Sequence, residues 1–376
     1  AEACVAAPGS TDPGVSDTEI RLGNVSTITG PIPGFGESGR AGAKAYLEYV
    51  NSQGGVCGRQ LVMVNGDDRL DPSANRSETE KLAGQVFGFV GNLAPTDDGG
   101  ASVIGGTNIP NCSLAIGDLA IRQPNYFSPN PLDPSGITNG TVAIWQHFKN
   151  TYGITKVGVV YANNPNITGR IQAFVNDIQA AGLAVSGPHK VEVTETSYTG
   201  VATQMKNEGA DAVTIVHEVN AIAKLAQAIR QVQWTPKVPY YGAQTYGRQF
   251  IELAGEAAEG ALIAVTHDIV ENQANPAMVA MAEWYARTNP GESPDFFSIL
   301  GWTAAELCVR AIAAAGPAPT RDATIAALQG INGWDAGGVL APRDPAARRP
   351  PAGFAVITVQ GGEWRRVYPE SGFATS

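Results

Sequence analysis

The first group of residues with the makings of a reactive site is Gly34-Phe35-Gly36-Glu37-Ser38-Gly39, which matches the glycine pattern of dinucleotide-binding folds and is followed by Asp67 and Asp68. In those folds the first glycine turns directly off a strand, so that a pyrophosphate meets a helix N-terminus. Here about nine residues, Pro31 and Pro33 among them, separate that glycine from the apolar strand Ile20–Val25. The spacing removes the geometry that gives the motif its meaning, which leaves a nucleotide-dependent α/β enzyme as the weakest reading.

The other polar candidates point away from catalysis. His147, His189, His217 and His267 have no nucleophile at a telling spacing, and no Gly-x-Ser-x-Gly elbow occurs, so no catalytic residue is assigned. His217-Glu218 is the most site-like pair. It follows an apolar run that reads as a strand, and the carboxyl ends of parallel strands are where open α/β sheets bind ligands. Phe35 and Tyr246 lie in loops just past strands and are candidate pocket walls. The remaining aromatic residues form no stripe and read as core.

Cys4, Cys57, Cys112 and Cys308 lack any Cys-x-x-Cys spacing and the histidines are unpaired, so neither a metal nor a cofactor is expected. Cys4 precedes the first strand and Cys57 the second. If those strands are parallel neighbours, both thiols stand at one end of the sheet, and a Cys4–Cys57 disulfide is expected. Lipidation of Cys4 is the alternative, although Ala1 and Glu2 fit a lipoprotein cleavage site poorly. Cys112 and Cys308 sit in apolar segments and read as buried hydrophobes.

The elements that must carry these residues alternate throughout. Acidic residues outnumber basic ones 35 to 25 in 376 residues, a charge of −10 that repels nucleic acid and anionic membranes. A membrane role is at most peripheral, since no uninterrupted apolar run reaches about 18 residues. The Pro/Gly-bearing N-terminus reads as the tether left by a removed signal peptide, which implies an extracytoplasmic protein. Strand Ile20–Val25, a helix with Ala43, Tyr46, Leu47 and Val50 on one face, strand Gln60–Val64, a helix from Asp71-Pro72, and strands Val86–Val90 and Ile109–Ala115 make half of a doubly wound sheet. Tyr126-Phe127-Ser128-Pro129-Asn130-Pro131 reads as a crossing. A second βα series follows with strands Lys156–Tyr161, Ala212–Val216 and Val238–Tyr241, and the chain closes with a hairpin at Phe354–Val359 and Trp364–Val367. The basic, Pro-rich stretch Pro342–Pro351 reads as a solvated loop.

Several ordered segments resemble a known family. Ile20-Arg21-Leu22-Gly23 with Thr29-Gly30-Pro31, then Asn51-Ser52-Gln53-Gly54-Gly55-Val56-Cys57-Gly58-Arg59, Asp67-Asp68 with Asp71-Pro72, and Leu253-Ala254-Gly255-Glu256-Ala257-Ala258-Glu259-Gly260 are similar to the leucine/isoleucine/valine-binding receptors of ABC transporters. The likeness runs from about residue 18 to 367. It implies type I periplasmic-binding-protein architecture: two doubly wound parallel-sheet lobes, 1–128 with 266–332 and 129–265 with 333–376, joined by a three-segment hinge near residues 128, 265 and 333. It also implies a monomer that closes on a small solute and hands it to an ABC permease. A ligand-sensing domain of a signalling system shares that fold and stays open as an alternative.

The resemblance places ligand contacts at Pro95 and Gly117 in the first lobe and at Asn166, Glu218 and Gln244 in the second; with the loop aromatics Phe35 and Tyr246 and the adjoining Gly36, Thr96 and Ala115, these are the expected ligand contacts. Amino-acid binders of this family use a serine and a threonine for the carboxylate, where this chain has Pro95 and Gly117. They use tyrosines and a glutamate around the ammonium, where it has Asn166, Glu218 and Gln244. Ala115, Ile116 and Gly117 offer only backbone groups. The expected ligand is therefore an amino-acid derivative, amide, polyol or aromatic acid rather than a simple branched-chain amino acid.

Overall fold

The computed structural model describes residues 5, 7, 12–30, 35–138, 140–351 and 353–375, together with the backbone but not the side chain of Asn166. Cys4 and residues 31–34, which hold Gly34 and both prolines of the loop discussed above, lie outside the described residues.

The first stretch of chain alternates strand and helix: β1 (Glu19–Ser26), α1 (Glu37–Ser52), β2 (Gln60–Asp67), α2 (Pro72–Ala83), β3 (Gly88–Leu93), α3 (Asp98–Gly105), β4 (Asn111–Leu114), α4 (Asp118–Ile121) and β5 (Tyr126–Phe127). The second continues with α5 (Val142–Tyr152), β6 (Lys156–Ala162), α6 (Pro165–Ala180), β7 (Ala184–Val191), α7 (Thr199–Asn207), β8 (Ala212–Val216), α8 (Val219–Gln231), β9 (Val238–Tyr241), α9 (Arg248–Ala254) and β10 (Leu262–Val265). Three helices follow, α10 (Pro276–Thr288), α11 (Phe296–Ala314) and α12 (Arg321–Gln329), and the hairpin of β11 (Ala355–Gln360) and β12 (Glu363–Tyr368) ends the chain.

The chain divides into two compact units, residues 1–134 with 272–349 and residues 135–271 with 350–376. In the first, five strands run in the order β2-β1-β3-β4-β5, all parallel. Its buried strands are short apolar runs because helices cover both faces. The apolar helix α11 packs on α1, β3 and β4. Its length and hydropathy suffice to cross a membrane, a combination the uninterrupted-run criterion passes over, but here it is the core helix of this unit, with Leu300, Ala304, Leu307, Cys308 and Ala311 buried. Two glycines set its contact with α1. A Cβ on Gly301 would lie 1.9 Å from Gly39 O, and one on Gly42 would lie 1.9 Å from Ser298 O.

In the second unit the order is β12-β11-β10-β9-β8-β6-β7. Strands β6 to β10 are parallel, and the terminal hairpin adds two antiparallel strands beside β10. The core gathers Trp145, Phe148, Val157, Ile178 and Tyr240.

Four sequence expectations change. The crossings fall at residues 134/135, 271/272 and 349/350 instead of 128, 265 and 333. Residues 333–349 join the first unit because Trp334 Nε1 donates to Glu306 Oε2 at 2.6 Å and Arg343 Nη1 donates to Pro129 O. For the same reason Pro342–Pro351 is not a purely solvated loop: Arg343 is 4% exposed, and burial pushes its guanidinium down to about 9. Tyr126-Phe127 is no crossing but a buried edge strand paired with Asn111 and Cys112. Finally, β7 and α7 escape the sequence reading because β7 is a half-exposed edge strand interrupted by Gly187-Pro188.

Cys57 is disulfide-bonded, whereas Cys112 and Cys308 are buried free thiols.

Candidate functional site

Strand order locates the candidate surface in each unit. Connections leave β1 and β3 on opposite sides of the first sheet, so a crevice opens at their carboxyl ends. The second sheet repeats the arrangement at β6 and β8.

In the first unit Gly36 sits directly on the strand ends. Its N–H donates to Thr27 O at 2.7 Å, and a Cβ there would come within 2.6 Å of Leu93 O, so only glycine fits. Phe35, half-buried, packs 5.7 Å from the ring of Phe297, which is itself 5.1 Å from Phe296. The helix starts beneath these rings are joined by a hydrogen bond from Ser38 Oγ to Asp295, the N-cap of α11.

Most polar donors near these strand ends are already committed. Thr96 Oγ1 and Thr27 Oγ1 donate to Asp68 at 2.6 and 2.7 Å, and Asn75 Nδ2 donates to it at 2.9 Å. Pro95 stands half-buried beside Thr96. The backbone amides of Ala115, Ile116 and Gly117 are engaged within the fold. Ala115 N donates to Tyr126 Oη at 2.9 Å, and Ile116 N and Gly117 N donate to the carboxylate of Asp97 at 2.8 and 2.9 Å. Asp98 Oδ1 takes Leu119 N and Ala120 N in the same way. Burial pushes the Asp97 carboxyl up to about 7 against the opposing pull of those two amides. No pattern in the sequence marks Asp97 for this task, since its partners lie about 20 residues away.

In the second unit Glu218 is the N-cap of α8, accepting from Asn220 N and Ala221 N at 2.7 Å each. That role fixes its carboxylate at the helix start and leaves the side chain 31% exposed. His217 lies beneath it, 5% exposed, with Nδ1 accepting from Glu218 N at 2.8 Å. Gln244 Nε2 donates to His217 O at 3.1 Å, which ties the loop after β9 to the end of β8. Tyr246 is not displayed on a loop as its position after a strand suggests. It is 1% exposed, its hydroxyl donates to Glu271 Oε2 at 2.8 Å and accepts from Val270 N at 2.8 Å, and so it supports the surface from below. Asn166 lies in the first turn of α6, just past β6.

A residue the sequence reading missed joins this group. Tyr198, the N-cap position of α7, sets its ring edge-on to His217 at 6.5 Å. Among the described residues no group of three or more His, Cys, Asp or Glu side chains is placed to hold a metal ion.

Comparison with known proteins supplies the remaining evidence. Residues 19–363 match a family model described as a periplasmic binding protein. The chain is 22% identical over 327 residues to the Leu/Ile/Val-binding protein BraC3 of Rhizobium johnstonii, covering 84% of each chain. It is 24% identical to Leu/Ile/Val-binding protein homolog 2 of Brucella abortus, covering 81% of this chain and 80% of that one. Two solved structures share its fold with a TM-score of 0.81 each. One is a fatty acid ABC transporter substrate-binding protein from Thermomonospora curvata, 22% identical, covering 99% of this chain and 96% of that one. The other is a branched chain amino acid ABC transporter protein from Thermus thermophilus with bound valine, 19% identical, covering 96% and 98%.

Proposed function

The chain belongs to the periplasmic binding protein family, and from that premise we propose that it is a non-catalytic receptor that captures a small solute outside the cytoplasm for an ABC importer. The solute meets the carboxyl ends of the strands at Phe35, Gly36, Pro95 and Thr96 of the first unit and at Asn166, Glu218 and Gln244 of the second. Ala115 and Gly117 shape that surface without donating to it, and Tyr246 acts from beneath.

We further propose that the solute is not a simple branched-chain amino acid. The observation that carries this is the Asp97 carboxylate, which occupies the Ile116 and Gly117 amides. A ligand carboxylate has neither those donors nor a hydroxyl at positions 95 and 117. The ammonium would meet neutral Gln244 and a Glu218 carboxylate already engaged as a helix cap. An unpaired buried charge costs several kcal/mol, enough to abolish tight capture. The Thermomonospora curvata protein, named for fatty acids, and the valine-bound Thermus thermophilus protein resemble this chain equally well in fold, so the fold is compatible with different solutes. Isothermal titration with leucine, isoleucine and valine, beside a thermal-shift series of amides, polyols and aromatic acids, tests the reading. Submicromolar leucine binding overturns it.

A further inference from the structure

Among the described residues, the hydroxyl of Tyr198 is a buried polar atom with no hydrogen-bond partner, and it stands at the candidate surface of the second unit. Tyr198 is 1% exposed and immediately precedes α7, while His217 immediately follows β8, so both rings occupy the carboxyl edge of the sheet beside its switch point. Burial, then Glu218, then Glu195 push the Tyr198 phenol up to about 12, so it stays protonated and the hydroxyl lies within reach of two carboxylates of that edge. His217 Nδ1 accepts the Glu218 N–H, which puts the ring proton on Nε2. That proton is taken up by the Glu192 backbone, and burial keeps the ring neutral. The edge therefore carries one hydroxyl with unspent capacity, that of Tyr198. Leaving a buried donor unsatisfied is costly, and a purely structural residue has no reason to bear that cost.

We propose that the Tyr198 hydroxyl, set edge-on against the His217 ring, binds an uncharged carbonyl-type oxygen of the solute, such as that of an amide. The phenol stays protonated and offers its proton to the solute, which calls for an oxygen acceptor. A neutral one is favoured over a carboxylate because the Glu218 and Glu195 carboxylates lie close to the hydroxyl, with Lys224 the cation of that edge. The inference rests on the receptor reading above and specifies the chemistry of the solute.

The test uses Tyr198→Phe, which removes only the hydroxyl, in the full chain. Thermal unfolding without solute is the first measurement. An unchanged or raised Tm is expected, since no internal bond is lost, and a fall of several degrees overturns the proposal by showing that the hydroxyl serves the fold. The second measurement compares matched probes, isovaleramide with isovalerate and benzamide with benzoate. The wild type is expected to bind the amide of a pair at least tenfold more tightly, with Tyr198→Phe losing most of that preference. Equal or tighter binding of the acids, or a preference untouched by the substitution, overturns it. Should neither the probes nor any member of the wider solute series bind, the receptor reading fails, and the unfolding measurement still decides whether the hydroxyl is structural.

Discussion

Asp97 holds Ile116: its carboxylate accepts the Ile116 amide at 2.8 Å and the adjacent Gly117 amide at 2.9 Å, so the segment after β3 clamps the loop after β4. Because burial raises this carboxyl to about 7, the folded chain binds a proton there more tightly than the unfolded chain does. The cost of ionising it is absent below about pH 4, grows as pH rises, and is fully present above about 7. Asp97→Asn deletes that dependence. Urea unfolding at pH 5 and pH 8 should show the variant gaining on the wild type by about 2 kcal/mol at the higher pH. Parallel behaviour of the two proteins would contradict the assignment.

Glu218 caps α8 through two backbone amides. Glu218→Ala should cost about 1 kcal/mol of stability, whereas Glu218→Ser, a better cap with a shorter reach, should restore it. Thermal unfolding of the pair separates the cap from any solute contact, because a contact made by the carboxylate is lost in both variants.

Gly301 offers a test of sign. Alanine is the better helix former by about 1 kcal/mol, so propensity alone predicts that Gly301→Ala stabilises α11. The 1.9 Å approach of the new Cβ to Gly39 O predicts the opposite, a loss of about 2 kcal/mol or more as α1 and α11 are forced apart. Denaturant unfolding decides between them. The same displacement should disturb the packing of Phe35 on Phe297.

Arg366 and Asp268 form an ion pair at 2.6 Å, with side chains 12% and 6% exposed. Arg366→Met should destabilise the chain by about 3–5 kcal/mol by removing the counter-ion that faces the buried Asp268 carboxylate. Adding Asp268→Asn should recover much of that loss, since the penalty lies in the unpaired charge and not in the missing contact. A double variant no more stable than Arg366→Met would show that Asp268 is held by its other neighbours.

Much of the architecture was legible in the chain. The α1 stripe of Ala43 and Leu47, the Asp71-Pro72 helix start and the apolar run of β8 are local patterns, and each appears where its period places it. The misses were equally physical. Strand β7 has polar and half-exposed positions that lack the alternation of a core strand. The stretch Pro342–Pro351 reads as solvent-facing loop because nothing nearby in sequence says that Arg343 will bond to Pro129 O.

Period and punctuation within the sequence were enough to establish alternating strands and helices and the family resemblance, because a helix stripe or a buried strand is written in residues a few positions apart. Tertiary structure alone decided which polar groups are already bonded within the fold. Asp97 spends the amides of Ile116 and Gly117, Tyr246 spends its hydroxyl on Glu271, and Tyr198 does not spend its own. Each outcome depends on strand order and register bringing together groups distant in the chain, and a hydrogen bond forms or fails on distances that no local pattern encodes.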